Sequence, residues 1–529
     1  MKNKRNIISL IITIIFGVIA YLIILPPINL TSIEFYSFIL LLLGVYLVLT
    51  TTSKITKKGI DFNFKKSKYL IIAMLLIPGL ILVINFILSP VFSAKAFSQR
   101  ITIVEDTEDS NFLTEIEEVD FSSIPLLDKD SSTRLGDRTM GQMPELVSQF
   151  YVSNNYTQIN YNNEIVRVTP LEYNGIFKYI ANYKEGVKGY ITVNSVDGTS
   201  NLIKLDKGMK YMSSAYLFKN LDRHLRLKYP TKIFGETNFE IDNEGNPYWI
   251  TQVVKYVGIG QRKDIEGVII TDPITGKTIY HKVEDVPSWV DHVYDASLII
   301  EQVDNWGTYK EGFLNSLFGQ KNVVNTTEGY NYLIMHDDVY LYTGITSVSS
   351  DESNLGFILT NLRTKETRFY QVPGAEEYSA MASAEGLVQQ MRYTSTFPLL
   401  INLNNRPTYL VSLKDNAGLV KMYGFVDVED YQKVVVTDAS KGIESAANNY
   451  LNNTSFTSSA EIDKTITIKD ITTAIIEGNT YYYITDTENK KYYVSINVDK
   501  KKLPFIKNGD SLNIKINRET DVTEIISID

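Results

Sequence analysis

Apolar positions run without interruption only in the first 95 residues; beyond them they alternate or recur among polar ones. Ile7 to Leu25 is uncharged and rich in Ile and Leu, and its 19 residues come close to the ~20 that an α-helix needs to cross a ~30 Å hydrocarbon layer. Ser32 to Thr52 carries a single charge, Glu34, at the end where a carboxylate reaches the headgroups. Tyr69 to Leu88 is apolar around a central Pro78-Gly79 pair, which membrane helices tolerate because neighbours or local backbone adjustment satisfy the freed carbonyl. Three membrane helices are predicted, about 7–25, 33–51 and 69–88, with a kink at Pro78.

Basic residues beside the spans set the expected orientation, because cytoplasmic loops carry the Lys/Arg excess. Lys2, Lys4 and Arg5 precede the first span, and Lys54, Lys57, Lys58, Lys65, Lys66 and Lys68 fill the second connection, whereas Pro26 to Ile33 has none. The N-terminus is expected in the cytoplasm and everything after Leu88 outside, as a multi-pass protein of a bacterial-type cell membrane. A basic start before an apolar run also describes a signal peptide. Leu25-Pro26-Pro27 offers no small-residue cleavage pattern, and two more spans follow.

From Phe150 onward, short Val/Ile/Tyr/Thr runs are punctuated by Gly, Pro and Asn pairs, which predicts strands and hairpins. Helical patterns interrupt them at Met212 to Leu227, Asp295 to Leu317 and Ala375 to Met391, giving an α+β class. The expected organisation is a membrane domain (1–95), an acidic spacer or docked arm (96–149), a first α+β module (150–320), a second (321–452) and a small barrel (459–529).

Two modules are expected because one order of markers occurs twice. Gly189-Tyr190-Ile191, Met212-Ser213-Ser214-Ala215 opening a helix, Tyr229-Pro230-Thr231 and a hairpin with Asn246-Pro247-Tyr248-Trp249-Ile250 form the first series. Gly356-Phe357-Ile358, Met381-Ala382-Ser383-Ala384 opening a helix, Tyr393-Thr394-Ser395 and a hairpin with Arg406-Pro407-Thr408-Tyr409-Leu410 form the second. The offset from Gly189 to Gly356 nearly equals those from Met212 to Met381, Tyr229 to Tyr393 and Pro247 to Pro407, so only small insertions separate the copies. Hairpin tips at Asp242 to Gly245 and Asp272 to Gly276 complete the first copy. Helix, strand, Asp-x-x-Thr-Gly turn, strand resembles the PepSY-type modules found outside bacterial membranes, over about 212–280 and less closely over 381–436, where that turn is missing. The resemblance implies a non-catalytic regulatory or protein-binding module and carries no active-site residue.

Charge changes the picture of partners. After Lys95 there are 42 basic against 59 acidic residues, a net −17, which repels nucleic acid and anionic lipid at long range. The chain has no cysteine, so thiolate nucleophiles, Cys-ligated zinc, iron–sulfur clusters and disulfides are excluded together. Gly276-Lys277-Thr278 looks like the end of a phosphate loop, but position 271 is Thr where that loop needs Gly, and a strand pattern follows. Neither a zinc-peptidase His-Glu-x-x-His nor a hydrolase Gly-x-Ser-x-Gly occurs. His336-Asp337-Asp338 reads as an acidic turn, without further residues at metal-ligand spacing. No cofactor and no metal site is expected.

One segment stands out for ligand binding. Trp289, Asp291 and His292, followed by Trp306, place two of the chain's three tryptophans near each other in sequence and among carboxylates. Aromatic faces beside carboxylates hold sugars and peptides, and a His–Asp pair shuttles protons. The plainer reading is a helix cap with tryptophans packed between modules. The favoured function is accordingly a membrane-anchored, non-catalytic binding or scaffold protein of the cell envelope, with the bilayer and an envelope protein or cell-wall component as partners. The alternative is an envelope hydrolase acting on peptidoglycan or peptides through acidic residues.

The C-terminus supplies five strand candidates, around Thr465–Ile468, Tyr481–Ile484, Tyr492–Ile496, Leu512–Ile516 and Glu524–Ile528, with Asn508-Gly509-Asp510 before the fourth. That pattern resembles an OB-type barrel over 459–529. A fragment of these residues should fold alone as a β protein and bind no oligonucleotide at physiological salt. Circular dichroism and a fluorescence-anisotropy titration check both; an unfolded fragment overturns the domain, and micromolar affinity overturns the exclusion.

Overall fold

The computed structural model describes residues 2–56, 59–62, 68–107, 110–121, 124–348, 353–454, 462–476, 479–496, 498–516, 522–525 and 527–528. Three apolar helices, Lys2–Ile24, Ile33–Thr51 and Lys68–Ile87, are each long enough to cross a membrane. Their side chains are apolar on every face and mostly uncovered by protein, as for helices solvated by lipid. The third is one helix across Pro78. The first packs on the second, Tyr21 against Phe38 at 6.2 Å, and Gly17 lets Leu42 approach.

Both connections on one side of this bundle are gripped by the large domain. Ile28 N–H donates to Pro230 O (2.8 Å), Gly260 N–H to Thr31 O (2.8 Å), and Asn85 Nδ2 to Ile259 O (3.0 Å). Gly260 has φ +68, and a Cβ there would meet Ile33 Cδ1 at 2.4 Å, so contact this close requires glycine. Two guanidinium groups from helix Leu221–Lys228 reach the last carbonyls of the first span: Arg223 Nε to Leu22 O (3.1 Å) and Arg226 Nε to Leu25 O (2.9 Å). A helix C-terminus presents unpaired carbonyls and partial negative charge, which cations complement. The hairpin Thr52–Thr56 with Gly59–Phe62 belongs to the opposite end of the bundle.

Beyond the apolar helices, four sheets stack in chain order, antiparallel except for one added strand of the third. The first holds Thr157–Tyr161, Glu164–Tyr173, Val187–Asn194 and Ser200–Met209, with Phe150–Val152 beside Glu164–Tyr173. After helix Leu221–Lys228, the second is a meander of Ile233–Ile241, Pro247–Lys255, Asp264–Thr271 and Thr278–Lys282. Helix Ala296–Tyr309 leads to the third, built on Asp338–Ser347, Ser353–Asn361 and Thr367–Tyr370. Helix Glu377–Leu387 leads to the fourth, built on Leu399–Leu403, Arg406–Lys414, Val420–Asp427 and Val434–Asp438, which helix Ile443–Asn453 covers. Sheet, helix, sheet, helix thus occurs twice.

Stacking buries both faces of the middle sheets, so their strands read as continuous apolar runs. Trp249 and Ile269 enter the core shared with the first sheet, while Ile250, Val268 and Ile270 enter the core shared with the third. Tyr342 and Phe357 then face Tyr409 and Val411 of the fourth sheet. Gly189 in Val187–Asn194 and Gly356 in Ser353–Asn361 each lie against the next strand of their sheet: a Cβ on either would press a carbonyl there, Ile203 O at 3.0 Å and Tyr370 O at 2.1 Å.

Within 96–149, the described residues dock on the sheets. Ile103–Glu105 adds a parallel strand beside Thr367–Phe369, and Ile101, Phe112, Ile124, Leu126 and Met140 are buried. Asp128 caps helix Lys129–Gly141 (Ser131 N–H, 2.9 Å) and pairs with Lys414 of the fourth sheet, while Leu127 N–H donates to Ser195 O of the first turn region (3.0 Å). Acidity in this arm is matched locally, as where Glu115 meets Arg368 and accepts Tyr370 OH (2.6 Å).

Two expected helix starts move. The helix predicted from Met212 begins at Leu221, because the Ser214 hydroxyl is engaged by Tyr173 N–H (2.9 Å) and Glu172, and Asn220 provides the N-cap to Arg223 N–H (3.1 Å). The helix predicted from Met381 begins one turn earlier, at Glu377. The linker residues 455–461 and the turn 477–478 lie outside the described residues. The C-terminal strands Ile462–Ile476, Asn479–Asp486, Lys491–Ser495 and Ser511–Ile516 enclose a separate core of Ile466, Ile484, Val494, Leu503 and Ile514.

Arg226→Ala should loosen the large domain from the bundle without unfolding the sheets. It strips hydrogen bonds from Leu25 O and Lys232 O (2.5 Å), at roughly 1–3 kcal/mol for each buried group left unpaired. Hydrogen exchange should rise at residues 22–32 and 229–233 and stay unchanged in the third and fourth sheets.

Candidate functional site

Along Ile233–Ile241, Phe239 and Ile241 enter the core against the first sheet, so strand alternation turns Glu240 to the opposite face. The chain from Val286 to Asp295, which has no regular structure, crosses that face. Glu240 receives two of its amides: Asp291 N–H at Oε2 (2.9 Å) and His292 N–H at Oε1 (3.2 Å). Burial of this carboxylate pushes it up to about 7.

The side chains of the same two residues then reach strand Thr157–Tyr161, which pairs with Glu164–Tyr173 along one edge. Asp291 Oδ2 accepts Asn160 N–H (2.8 Å), and His292 Nε2–H donates to Gln158 O (2.6 Å). Those are outward backbone groups on the strand's free edge. A carboxylate and an imidazole stand in for a neighbouring strand. Farther along, Val293 and Tyr294 N–H both donate to Leu362 O of the third sheet (3.1 and 2.8 Å). This loop therefore ties three sheets together.

Its electrostatics follow from burial. Asp291 is 1% exposed, and burial, then the charge of Glu240, raises its carboxyl well above the ordinary range. His292 is held down to about 4 by burial, so the ring is a neutral donor at pH 7, edge-on to Tyr332 at 5.7 Å. His292 is engaged with a carbonyl rather than with Asp291, so the two do not form a proton-relay pair in this arrangement. Asp295, not Asp291, caps helix Ala296–Tyr309, accepting Leu298 N–H at 2.8 Å.

At the surface above Asp291 lies a recess of about 190 Å³ lined by Asn160, Asn162, Asn163, Asn243, Ser288, Trp289, Asp291 and Asp337. Trp289 borders it and packs on Tyr248 at 5.0 Å. Asn162 and Asn163 both have positive φ, 53° and 65°, as in the tight turns that Asn favours, and this is what places two amides at one hairpin tip. His336 and Asp337 make the equivalent turn in the third sheet (φ 50° and 68°), which puts Asp337 Oδ1 2.5 Å from Asn160 Nδ2. On the far side of the same hairpin tips runs an open groove of about 860 Å³ bordered by Tyr161, Glu164, Asn194, Asn201, Lys204 and Glu244.

Of the four residues singled out from sequence, Trp289, Asp291 and His292 come together and Trp306 does not. Trp306 lies along helix Ala296–Tyr309 against Phe369 (6.3 Å), with Lys310 Nζ 4.2 Å over its ring, in a different cleft beside Lys95 and Gln99. Glu240, Gln158 and the asparagines were not singled out. The Asn162-Asn163 pair between two alternating runs was a usable hairpin signal; nothing local marks Glu240, whose role arises from partners far along the chain. Among the described residues no cluster of three or more His, Asp or Glu side chains has metal-binding geometry. No protein-family model matches the chain, and no curated protein matches it either.

Two measurements check the clamp. Glu240→Ala should cost roughly 2–5 kcal/mol, since two buried N–H groups lose their acceptor at about 1–3 kcal/mol each. Because burial raises Glu240, its protonated form stabilises the fold fully below about 4.5, and that contribution is lost as pH rises through about 7. Thermal melts of the full chain should therefore show wild type losing ground to Glu240→Gln between pH 5 and pH 8; parallel curves would refute it.

Proposed function

We propose that the chain is a membrane-anchored extracytoplasmic protein of the bacterial cell envelope that binds a hydroxyl-rich cell-wall component and catalyses no reaction. The observation that carries this reading is the polar recess beside Trp289, where four asparagine amides meet Ser288 and Asp337. Amides and carboxylates exchange paired hydrogen bonds with hydroxyl groups, and an indole covers the apolar face of a sugar ring. The neighbouring groove gives an extended polymer a place to continue.

A hydrolase acting on peptidoglycan or peptides is the other reading, since Asp291 with a raised carboxyl stands near Asp337. Against it, the Asp291 oxygen is committed to Asn160 N–H and the residue is almost fully buried. The orientation belongs to the same proposal: Lys2, Lys4, Arg5 and Lys54 lie at the end of the bundle away from the large domain, as cytoplasmic residues would. So does the ancestry of the fold, in which residues 150–320 and 321–452 are two copies of one module and its PepSY-like portions are non-catalytic. The C-terminal unit is read as an OB-like barrel. Its third strand runs parallel to Val522–Glu524, and its fourth pairs antiparallel with Ser527–Ile528, as ring closure by a fifth strand requires. With an acidic exterior part, nucleic acid is not its partner.

The test is titration of the full chain in nanodiscs with soluble peptidoglycan fragments, read by tryptophan fluorescence. Trp289→Ala should weaken binding roughly tenfold, the ~1.4 kcal/mol of one aromatic contact, while the fold is kept. Asp291→Asn should fold as well, because burial already favours an uncharged group there. Absence of binding by the native chain overturns the proposal, and cleavage of the fragments turns it toward the hydrolase. A second check is labelling with an impermeant thiol reagent in intact cells. Lys321→Cys should react and Asp61→Cys should not, with no native thiol to interfere.

A further inference from the structure

Beside the end of the first span, the large domain exposes apolar side chains that no packed core uses. Helix Ile176–Asn182 turns Tyr179 inward and leaves Ile176, Phe177, Ile180 and, just beyond it, Tyr183 outside; Phe177 is 82% exposed. Spacing at i, i+1, i+4 and i+7 makes this one helical face, apolar where a soluble helix would be polar. Next to it stands the turn Leu217–Lys219, joined by Tyr179 OH donating to Tyr216 O (3.1 Å) and by the Tyr179–Tyr216 ring contact at 5.4 Å. Leu217 and Phe218 are 69% and 66% exposed, and Leu217 adopts φ +54, a conformation that non-glycine residues rarely take.

Height relative to the bilayer is fixed by one side chain. Arg223 donates from Nε to Leu22 O and from Nη1 to Leu217 O (2.8 Å). A guanidinium is only a few ångströms wide, so the Leu217 backbone lies level with the last turn of the first span. The third span shows the same arrangement on its own side: Phe92, 63% exposed on the short helix Pro90–Ser98, packs edge-on against Phe86 within the span at 5.3 Å. Lys178, Lys184 and Lys219 edge the first patch, although the exterior part as a whole is acidic. Apolar side chains at headgroup depth with lysines alongside are what an interfacial helix presents to lipid.

We infer that Phe177, Ile180, Leu217 and Phe218 insert into the outer leaflet, so that the large domain lies on the bilayer through a second, monotopic contact in addition to its three helices. This rests on the reading of those helices as membrane spans, and the experiment separates the two. Single cysteines replacing Phe177, Phe218, Phe92, Leu75 or Phe505 in the full chain are labelled with an environment-sensitive fluorophore. The protein is reconstituted in vesicles of phosphatidylethanolamine and phosphatidylglycerol, with or without lipid brominated near the headgroup end of its chains. Leu75, 69% exposed within the third span, reports on the span itself when deep-brominated lipid is used, and Phe505, 76% exposed in the C-terminal unit, reports on water. Emission at 177, 218 and 92 should shift to the blue and be lost with shallow bromines, while position 505 keeps its emission and is quenched by aqueous iodide. Quenching at 75 with 177 and 218 behaving like 505 overturns the lipid contact alone. Shielding of 177 and 218 from both bromine and iodide points to a protein cover and overturns it too, and no quenching at 75 removes the spans and the inference together.

Discussion

A loop with no secondary structure of its own joins three of this molecule's sheets, by placing backbone amides and two side chains on partners in each. Backbone amides at the interface of two sheets have no strand to pair with, and leaving them bare costs as much as losing a sizeable core side chain. Glu240 takes two of them, the side chains of Asp291 and His292 close the open edge of Thr157–Tyr161, and Leu362 O takes two more. The first, second and third sheets acquire a shared fixed point, and the recess at Trp289 is the surface of that fixed point.

The membrane end was the most legible part of the sequence, since an uninterrupted apolar run of the right length has few other meanings. The mixed helix and strand content was legible too, because strand punctuation is local. Helix starts were read less well: Met212 looked like an opening, but the Ser214 hydroxyl prefers Tyr173 and Glu172, and a side chain far off in sequence decided the matter. The same holds at the site. Trp289, Asp291 and His292 are neighbours in the chain and were found together. Trp306 is carried away by a helix of 14 residues, whose rise of about 1.5 Å per residue separates its ends by ~20 Å. The acidic segment 96–149 reads as a spacer or a docked arm because its anchors are sparse; Ile101 packs in the core between the second and third sheets, Phe112 in that between the third and fourth, and Ile124 and Leu126 on the fourth.

Contact with the bundle follows the same economy. Hydrogen bonds from Arg223 and Arg226 to Leu22 O and Leu25 O, from Asn29 and Asn85 to Thr231 O and Ile259 O, from Gln261 to Asn85 O and from Gly260 N–H to Thr31 O join the large domain to the bundle. Such contacts are directional, so they set the rotation of the large domain about the bundle axis as well as its distance from the helix ends.

The parallel pairing of Ile103–Glu105 with Thr367–Phe369 also governs the order in which the chain can be built. The arm emerges directly after the third span, but its strand partner is made only after the first two sheets and most of the third. Throughout that interval of synthesis, the arm's apolar anchors lack the sheets that cover them. The first and second sheets can close on each other meanwhile; the arm is stitched across the third, fourth and first sheets only when the last of them exists. The arm's docking is therefore a long-range closure, completed only by residues more than 250 positions farther along the chain.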